Sequence, residues 1–161
     1  HTVEIIDAPS VLTAVPTALG LEHYKFGRVA TLSRPYGEYF PLTPYHIIEG
    51  NLSLSLHTLI LLDIEQEEGY MMSASEGLSI LKEMEAKVGH GIIRSDTLFC
   101  AAARVGCDDA ALKADTLDSL MVTDMGPQPH TLVLPGPLHF IEAEALINLA
   151  SAPRRLLKDY L

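Results

Sequence analysis

Histidines and carboxylates are the side chains of this sequence that could do acid–base or metal chemistry, and neither type is spaced for it. The seven histidines include no pair four residues apart and no HExxH motif, so we predict surface or capping histidines and no metal site. The acidic pairs Asp108–Asp109 and Glu142–Glu144 are typical of a loop and of a solvated helix face. Nucleophile-elbow and phosphate-binding glycine motifs are absent. We therefore predict no catalytic side chain.

Four short segments at predicted strand ends could instead bind a ligand, because open α/β sheets hold their ligands there. Ser10 and Val11 begin a predicted helix, where a hydroxyl and free backbone N–H groups can meet a polar ligand. Leu62 ends the most apolar strand, Val105 follows the next strand, and His130 opens the last. The plainer interpretations are a helix N-cap, core packing, a turn and a structural histidine. If the strands are ordered as expected, all four segments line one cleft.

The elements that must position these segments alternate along the chain. Hydrophobic patterning predicts strands over 3–6, 28–32, 57–64, 97–103, 111–115 and 130–134, and helices over 10–19, 43–54, 73–88, 117–122 and 138–150. Pro16 is expected to end or kink the first helix, and Thr43 to cap the second. Residues 65–69 are expected to form an acidic loop. The alternation predicts an α/β sandwich.

Composition limits the classes of protein that this chain can represent. Its 161 residues are 48% hydrophobic, and its mean hydropathy is +0.20, which excludes intrinsic disorder. A formal net charge of −10 argues against nucleic-acid binding. Two cysteines do not form a disulfide framework, and the composition suits the cytoplasm. There is no apolar run long enough to span a membrane. Because the chain opens directly on a predicted strand without Met, we expect an N-terminal part to be missing.

Several ordered motifs resemble the diphthine synthase family, within the tetrapyrrole-methylase-like S-adenosylmethionine-dependent methyltransferases. They occur in family order along nearly the whole chain, and they are residues 6–11 (IDAPSV), 24–28 (YKFGR), 39–42 (YFPL), 56–64 (LHTLILLDI), 95–98 (SDTL), 103–106 (ARVG), 129–136 (PHTLVLPG) and 138–144 (LHFIEAE). The resemblance implies a tetrapyrrole methylase-like α/β fold. Residues 1–40 would then end the first methylase domain, and residues 41–161 would form the complete second domain.

The resemblance also implies an activity and a set of ligands. Members transfer methyl groups from S-adenosylmethionine to the modified histidine of translation elongation factor two, in diphthamide biosynthesis. Their cofactor contacts carry over onto Ser10, Val11, Leu62, Val105 and His130, and Val105 stands where Ala is usual. A cytoplasmic homodimer without nucleic-acid or membrane partners is expected. The glycine-rich loops that complete the family's site precede this segment, so a truncated, non-catalytic dimerisation or docking module is an alternative. Methylation of another small acceptor, such as a tetrapyrrole, is a further one.

Overall fold

The computed structural model describes residues 10–37 and 39–161, and a five-stranded sheet forms its centre. The strands in the described part of the chain are β1 (Ala30–Leu32), β2 (Thr58–Leu62), β3 (Ile64–Glu65), β4 (Tyr70–Met71), β5 (Leu98–Ala103), β6 (Ala111–Thr116) and β7 (His130–Leu134). The main sheet has the order β1-β2-β7-β5-β6, and β3 pairs with β4 as a separate hairpin. The pair β1–β2 is parallel, whereas β7 runs antiparallel to both of its neighbours and β5 runs antiparallel to β6.

Helices cover both faces of the sheet, which explains why its central strands are continuously apolar. The helices are α1 (Val11–Leu19), α2 (Thr43–Ser53), α3 (Ala74–Val88), α4 (Leu117–Met121) and α5 (Phe140–Leu149). Alternate residues of β7 enter different cores: Leu132 and Leu134 pack with α2, α3 and α4, whereas Val133 packs with α1 and α5. The result is a three-layer α/β sandwich, as the sequence predicts.

Most predicted elements are present, and the differences have local causes. Helix α1 continues through Pro16 to Leu19, because packing of Val15, Pro16 and Leu19 in the core offsets the hydrogen bond that proline cannot donate. Thr43 is the first residue of α2 rather than its cap, and Leu42 occupies the cap position. Residues 66–69 form a turn, so the predicted acidic loop is present except at Glu65, which pairs with Tyr70 in the hairpin β3–β4. Strand β2 is shorter than expected. The strand predicted over residues 3–6 lies outside the described residues.

The predicted division into residues 1–40 and 41–161 stays a prediction. Strands β1 and β2 lie on either side of that boundary, and they are hydrogen-bonded neighbours in one sheet. No helix in the described part of the chain is both long and apolar enough to cross a membrane.

A buried carboxylate holds α5 against the start of β2, which contradicts the expected solvated face at Glu142. Its Oε1 accepts hydrogen bonds from the Glu22 N–H and from His57 Nε2, both at 2.9 Å. Its Oε2 accepts one from the His139 N–H at 2.8 Å and forms an ion pair with Lys25 Nζ at 2.5 Å. Four donors therefore satisfy the two oxygens of a fully buried side chain.

The ionisation of this cluster follows from its hydrogen bonds. Burial alone would raise the pKa of Glu142, but donors led by the His139 N–H and Lys25 lower that pKa to about 2. His57 is fully buried, so the expectation of surface or capping histidines is wrong for it. Its Nδ1 accepts the Gly136 N–H at 2.8 Å, and its pKa is lowered by burial. The cluster therefore combines an ionised Glu142 with a neutral His57, and Lys25 forms an ion pair with the carboxylate.

Candidate functional site

A cavity of about 420 Å³ lies at one end of the central strands of the sheet. Strands β2 and β5 end there, and because β7 is antiparallel to both, it begins at the same end. This geometry explains how two segments that follow strands and one that opens a strand come together. The start of α1 completes the cavity. The volume is within the range of small-molecule and cofactor sites.

All five residues that the sequence singles out line this cavity. The lining consists of Ser10, Val11, Ala14, Val15, Leu61, Leu62, Ile64, Ala102, Arg104, Val105, Gly106, Cys107, Pro129, His130 and Thr131. These residues come from four separate parts of the chain, and the structure therefore confirms the predicted convergence of the four segments.

Ser10 and Val11 form the edge of the cavity at the start of α1. The Ser10 Oγ accepts a hydrogen bond from the Leu12 N–H at 3.2 Å, and its carbonyl accepts one from Ala14 N at 2.8 Å. Ser10 is thus the N-cap of α1, so the plainer interpretation of this residue also holds. Both Ser10 and Val11 are solvent-exposed, which leaves them accessible to a ligand.

Leu62 and Val105 give the cavity apolar walls at the ends of two strands. Leu62 is largely buried, and Val105 is half-buried one residue beyond Arg104. The neighbouring Asp63 does not line the cavity and is hydrogen-bonded within the protein. Its Oδ2 accepts the Arg34 N–H at 2.9 Å, and its carbonyl accepts the Met72 N–H at 2.9 Å. The side chains of Leu62 and Val105 therefore make this wall apolar. Its polar groups are those of the backbone at the strand ends.

His130 closes the cavity on the side of β7, and its ring is fully hydrogen-bonded within the protein. Its Nδ1 accepts the Ala74 N–H at 3.0 Å. Its Nε2 donates to the carbonyls of Gly126 and Pro127, at 3.0 and 3.2 Å. The ring therefore joins the first residue of α3 to the loop before β7. A ligand in the cavity meets an imidazole whose two nitrogens already have partners within the protein.

Arg104 is the cavity residue that sequence reasoning placed in a candidate segment but gave no role. Its backbone has a φ of 50°, a left-handed conformation that is uncommon outside glycine and often occurs at functional sites. Its guanidinium contacts Asp109 and the carbonyls of Met125 and Pro127. The signal available in the sequence was its position directly after an apolar strand.

The electrostatics of the cavity favour a ligand whose buried part is mostly apolar and uncharged. Arg104 is the only charged residue among the described lining residues, and its guanidinium already has acceptors inside the protein. Within residues 10–37 and 39–161, no cluster of three His, Cys, Asp or Glu side chains could hold a metal ion. The walls can pack against a flat ring, while backbone groups at the strand ends contact its polar edges.

A second, larger cavity lies at the opposite ends of the same strands. It has a volume of about 640 Å³, and it is lined by residues near the start of β5 and the end of β7. None of the five predicted residues lines it, and its polar side chains include Arg94, Asp96 and Asp159. The residues predicted from the sequence therefore select the smaller cavity.

Comparison with known proteins gives diphthine synthases among the relatives of this chain. The chain is 40% identical over 154 residues to the diphthine synthase of Methanothermobacter thermautotrophicus, which covers 96% of this chain and 58% of that protein. It is 39% identical over 160 residues to the diphthine synthase of Methanosarcina barkeri, covering 96% and 59%. No family model matches the chain.

The fold gives the same result. A crystal structure of diphthine synthase superposes with a TM-score of 0.83 at 30% sequence identity, over 97% of this chain and 57% of that one. The chain spans a little under three fifths of the length of the relatives that it matches. The resemblance and the α/β fold expected from it are therefore confirmed, and over nearly all of its length this chain is similar to part of the diphthine synthases that it matches.

Proposed function

We propose that this chain carries part of an S-adenosylmethionine-dependent methyltransferase acting on the modified histidine of translation elongation factor two, in diphthamide biosynthesis. The observation that carries the proposal is the convergence of Ser10, Val11, Leu62, Val105 and His130 on one cavity. The resemblance in sequence implies cofactor contacts at the same five positions. Similarity to diphthine synthases over 96% of the chain supports the same activity.

The residues present fit the adenosine half of the cofactor. Leu62 and Val105 would pack against the adenine ring, and backbone groups at the ends of their strands would contact its polar edge. Ser10, with the first N–H groups of α1, would contact polar groups of the cofactor. His130 would close the cavity with its imidazole fixed by three backbone groups. When bound, the cofactor supplies an activated methyl group, and the protein aligns and desolvates the reacting groups.

Methyl transfer from a sulfonium does not require a dedicated catalytic base. The acceptor amine needs to be neutral and aligned with the methyl group, which is a matter of positioning rather than of proton abstraction by a special side chain. None of the described residues that line the cavity is acidic, and its histidine is engaged in hydrogen bonds.

The assembly and location of the protein are part of the proposal. A cytoplasmic homodimer follows from the resemblance, and the outer surface of α5 supports self-association. Phe140, Ile141 and Leu149 on this helix are each about half exposed, and a second copy packed on α5 would bury this apolar area. Light scattering after gel filtration would give about twice 17.5 kDa for the dimer, and a monomeric mass would reject it.

The decisive experiment measures transfer of a radiolabelled methyl group from S-adenosylmethionine to elongation factor two. The acceptor is the factor carrying the aminocarboxypropyl-modified histidine, and the matched control is the same factor with unmodified histidine. Label on the modified factor alone supports the proposal. Binding of S-adenosylhomocysteine without transfer would restrict this chain to cofactor binding. Absence of both would favour the docking-module alternative.

A further inference from the structure

The loop that precedes β7 is fastened to the end of β5 by a single guanidinium. Arg104 Nε donates to Asp109 Oδ2 at 2.7 Å, and Nη2 donates to the Asp109 carbonyl at 2.9 Å. On the other side, Nη1 donates to the Met125 carbonyl at 3.0 Å and also to the Pro127 carbonyl. The Arg104 side chain is only 12% exposed, whereas that of its partner Asp109 is 65% exposed.

The same loop is held from its other side by His130. Two side chains donate hydrogen bonds to the carbonyls of this loop. Arg104 donates to those of Met125 and Pro127. His130 donates to those of Gly126 and Pro127. Gly126 has a φ of 73°, and a Cβ there would lie 3.2 Å from Arg104 Nη2. The backbone thus approaches the guanidinium at a position where a side chain would interfere.

Both segments joined by Arg104 belong to the wall of the candidate cofactor cavity. Val105, Gly106 and Cys107 come from the first segment, and Pro129 and His130 follow the second. The backbone repeats this connection, because the Arg104 N–H donates to the Pro129 carbonyl at 3.0 Å. Beyond the pairing of β5 with β7, Arg104 therefore connects the two sides of the cavity through both its backbone and its side chain.

We infer that Arg104 is a positioning residue for the cofactor: it sets the width of the cavity by holding loop 124–129 against segment 104–109, without itself contacting the reacting atoms. This inference rests on the proposed function. The arrangement requires a planar fork of donors, which only arginine provides. Lysine carries the same charge, but its ammonium is a compact tetrahedral donor and cannot reach the carbonyls and the carboxylate together.

The test compares Arg104→Lys with Arg94→Lys. Arg94 is a matched control because it also contacts an aspartate, Asp96, and a backbone carbonyl, that of Gly91, but it lines the opposite cavity. Affinity for S-adenosylhomocysteine is measured by calorimetry at a temperature where circular dichroism shows each variant to be folded. We expect Arg104→Lys to bind about tenfold more weakly or worse, and Arg94→Lys to bind like the parent.

A second readout follows the order of the cavity wall without any cofactor. Cys107 is exposed on this wall, whereas Cys100 is fully buried and serves as the unreactive internal reference. We expect Arg104→Lys to speed alkylation of Cys107 by iodoacetamide and to leave Cys100 unmodified. Asp109→Ala removes one acceptor at an exposed site, so it gives a milder variant if Arg104→Lys does not fold, with a smaller change in the same direction.

The outcomes separate this inference from the proposed function. If the parent protein binds S-adenosylhomocysteine and the Arg104 and Asp109 variants bind equally well, with unchanged Cys107 reactivity and only a lower melting temperature, Arg104 has a structural role alone and the inference is wrong. If the parent itself shows no affinity, the proposed cofactor site is rejected and the inference is rejected with it. Weaker binding with faster alkylation in the Arg104 or Asp109 variants supports the inference.

Discussion

Val105 occupies a position on the cavity wall where side-chain size controls the space left for a ligand. Its side chain is half-buried, and the neighbouring wall residues are apolar. Replacing it with Trp would fill part of a cavity of about 420 Å³ without removing any hydrogen bond. We expect Val105→Trp to weaken S-adenosylhomocysteine binding by at least about tenfold, measured by calorimetry, because the bulkier ring excludes the ligand.

Val122→Trp provides the control for that substitution. Val122 is 86% exposed and lies outside the cavity, so the same change in side chain should alter neither affinity nor stability appreciably. Equal affinities for the two variants would show that the ligand binds somewhere other than this cavity.

Glu142 is the residue whose loss should cost most stability. Replacing it with Gln leaves Lys25 and the buried His57 without their charged acceptor, and one oxygen becomes a donor that faces other donors. We expect Glu142→Gln to lower the free energy of unfolding by about 3 kcal/mol in urea titrations at pH 7. Glu144→Gln, an exposed position on the same helix, should change it by less than about 0.5 kcal/mol. Similar losses for both would contradict the buried network.

The sequence predicts the roles of residues whose positions follow from local patterning. It does not predict the role of a residue whose partners are distant in the chain. Ser10, Leu62, Val105 and His130 stand at strand or helix ends, and such positions can be read from local patterning. Glu142 accepts hydrogen bonds from groups 117 and 120 residues away, and nothing in the local sequence of α5 reports them. A buried carboxylate with distant partners looks, in sequence, like a solvated one.

At the scale of elements, helix α1 packs closely against α5, and the first residues of α1 line the cavity. Gly20 ends α1 in a left-handed conformation, with a φ of 69°, and a Cβ there would lie 2.5 Å from the Cβ of Ala145 on α5. We expect Gly20→Ala to destabilise the protein by about 1–3 kcal/mol in urea titrations, since backbone strain and overpacking add.

Gly89→Ala isolates the packing component of that loss. Gly89 ends α3 with a φ of 77°, but nothing lies within 4 Å of an added Cβ. Its substitution should therefore cost only the backbone strain, about 1 kcal/mol. If the two alanine variants are equally stable, the close approach of α1 to α5 does not constrain the fold.

Elements were predictable from the sequence where their hydrophobic pattern was long. The apolar runs of β2, β5 and β7 and the capped amphipathic helix α3 have their expected type, because burial on both faces or on one stripe leaves a clear pattern. The two-residue strands β3 and β4 are too short to show any period, and the order of strands depends on contacts that no local pattern contains.

For the molecule as a whole, the buried cluster predicts that stability decreases in acid. The pKa of His57 is lowered from 6.5, and that of Glu142 from 4.5 to about 2. Because both groups bind protons more readily when unfolded, stability is full above about pH 6.5 and is lost as the pH falls. The contribution of Glu142, about 3 kcal/mol, should disappear between about pH 4.5 and 2.

Urea unfolding between pH 7 and pH 3 would test this dependence. The difference in unfolding free energy between the parent and Glu142→Gln should shrink as the pH falls below 4.5, since a protonated Glu142 resembles the amide. The corresponding difference for Glu144→Gln should stay near zero at every pH. A gap between parent and Glu142→Gln that is independent of pH would mean that the carboxylate is not ionised in the folded protein.

Strand β7 joins the two ends of this architecture with a fixed number of residues. Its first residue, His130, is fastened at the cavity, and Gly136, just after its last residue, donates to His57 in the buried cluster. All five residues of β7 are buried. The length of the strand therefore fixes the distance between the cavity and the buried cluster. One residue added or removed would displace one end by about 3.3 Å and would turn the side chains beyond it to the opposite face of the sheet. Natural length variation should accordingly accumulate in the turn at 66–69 or near 107–110, and not between His130 and Gly136.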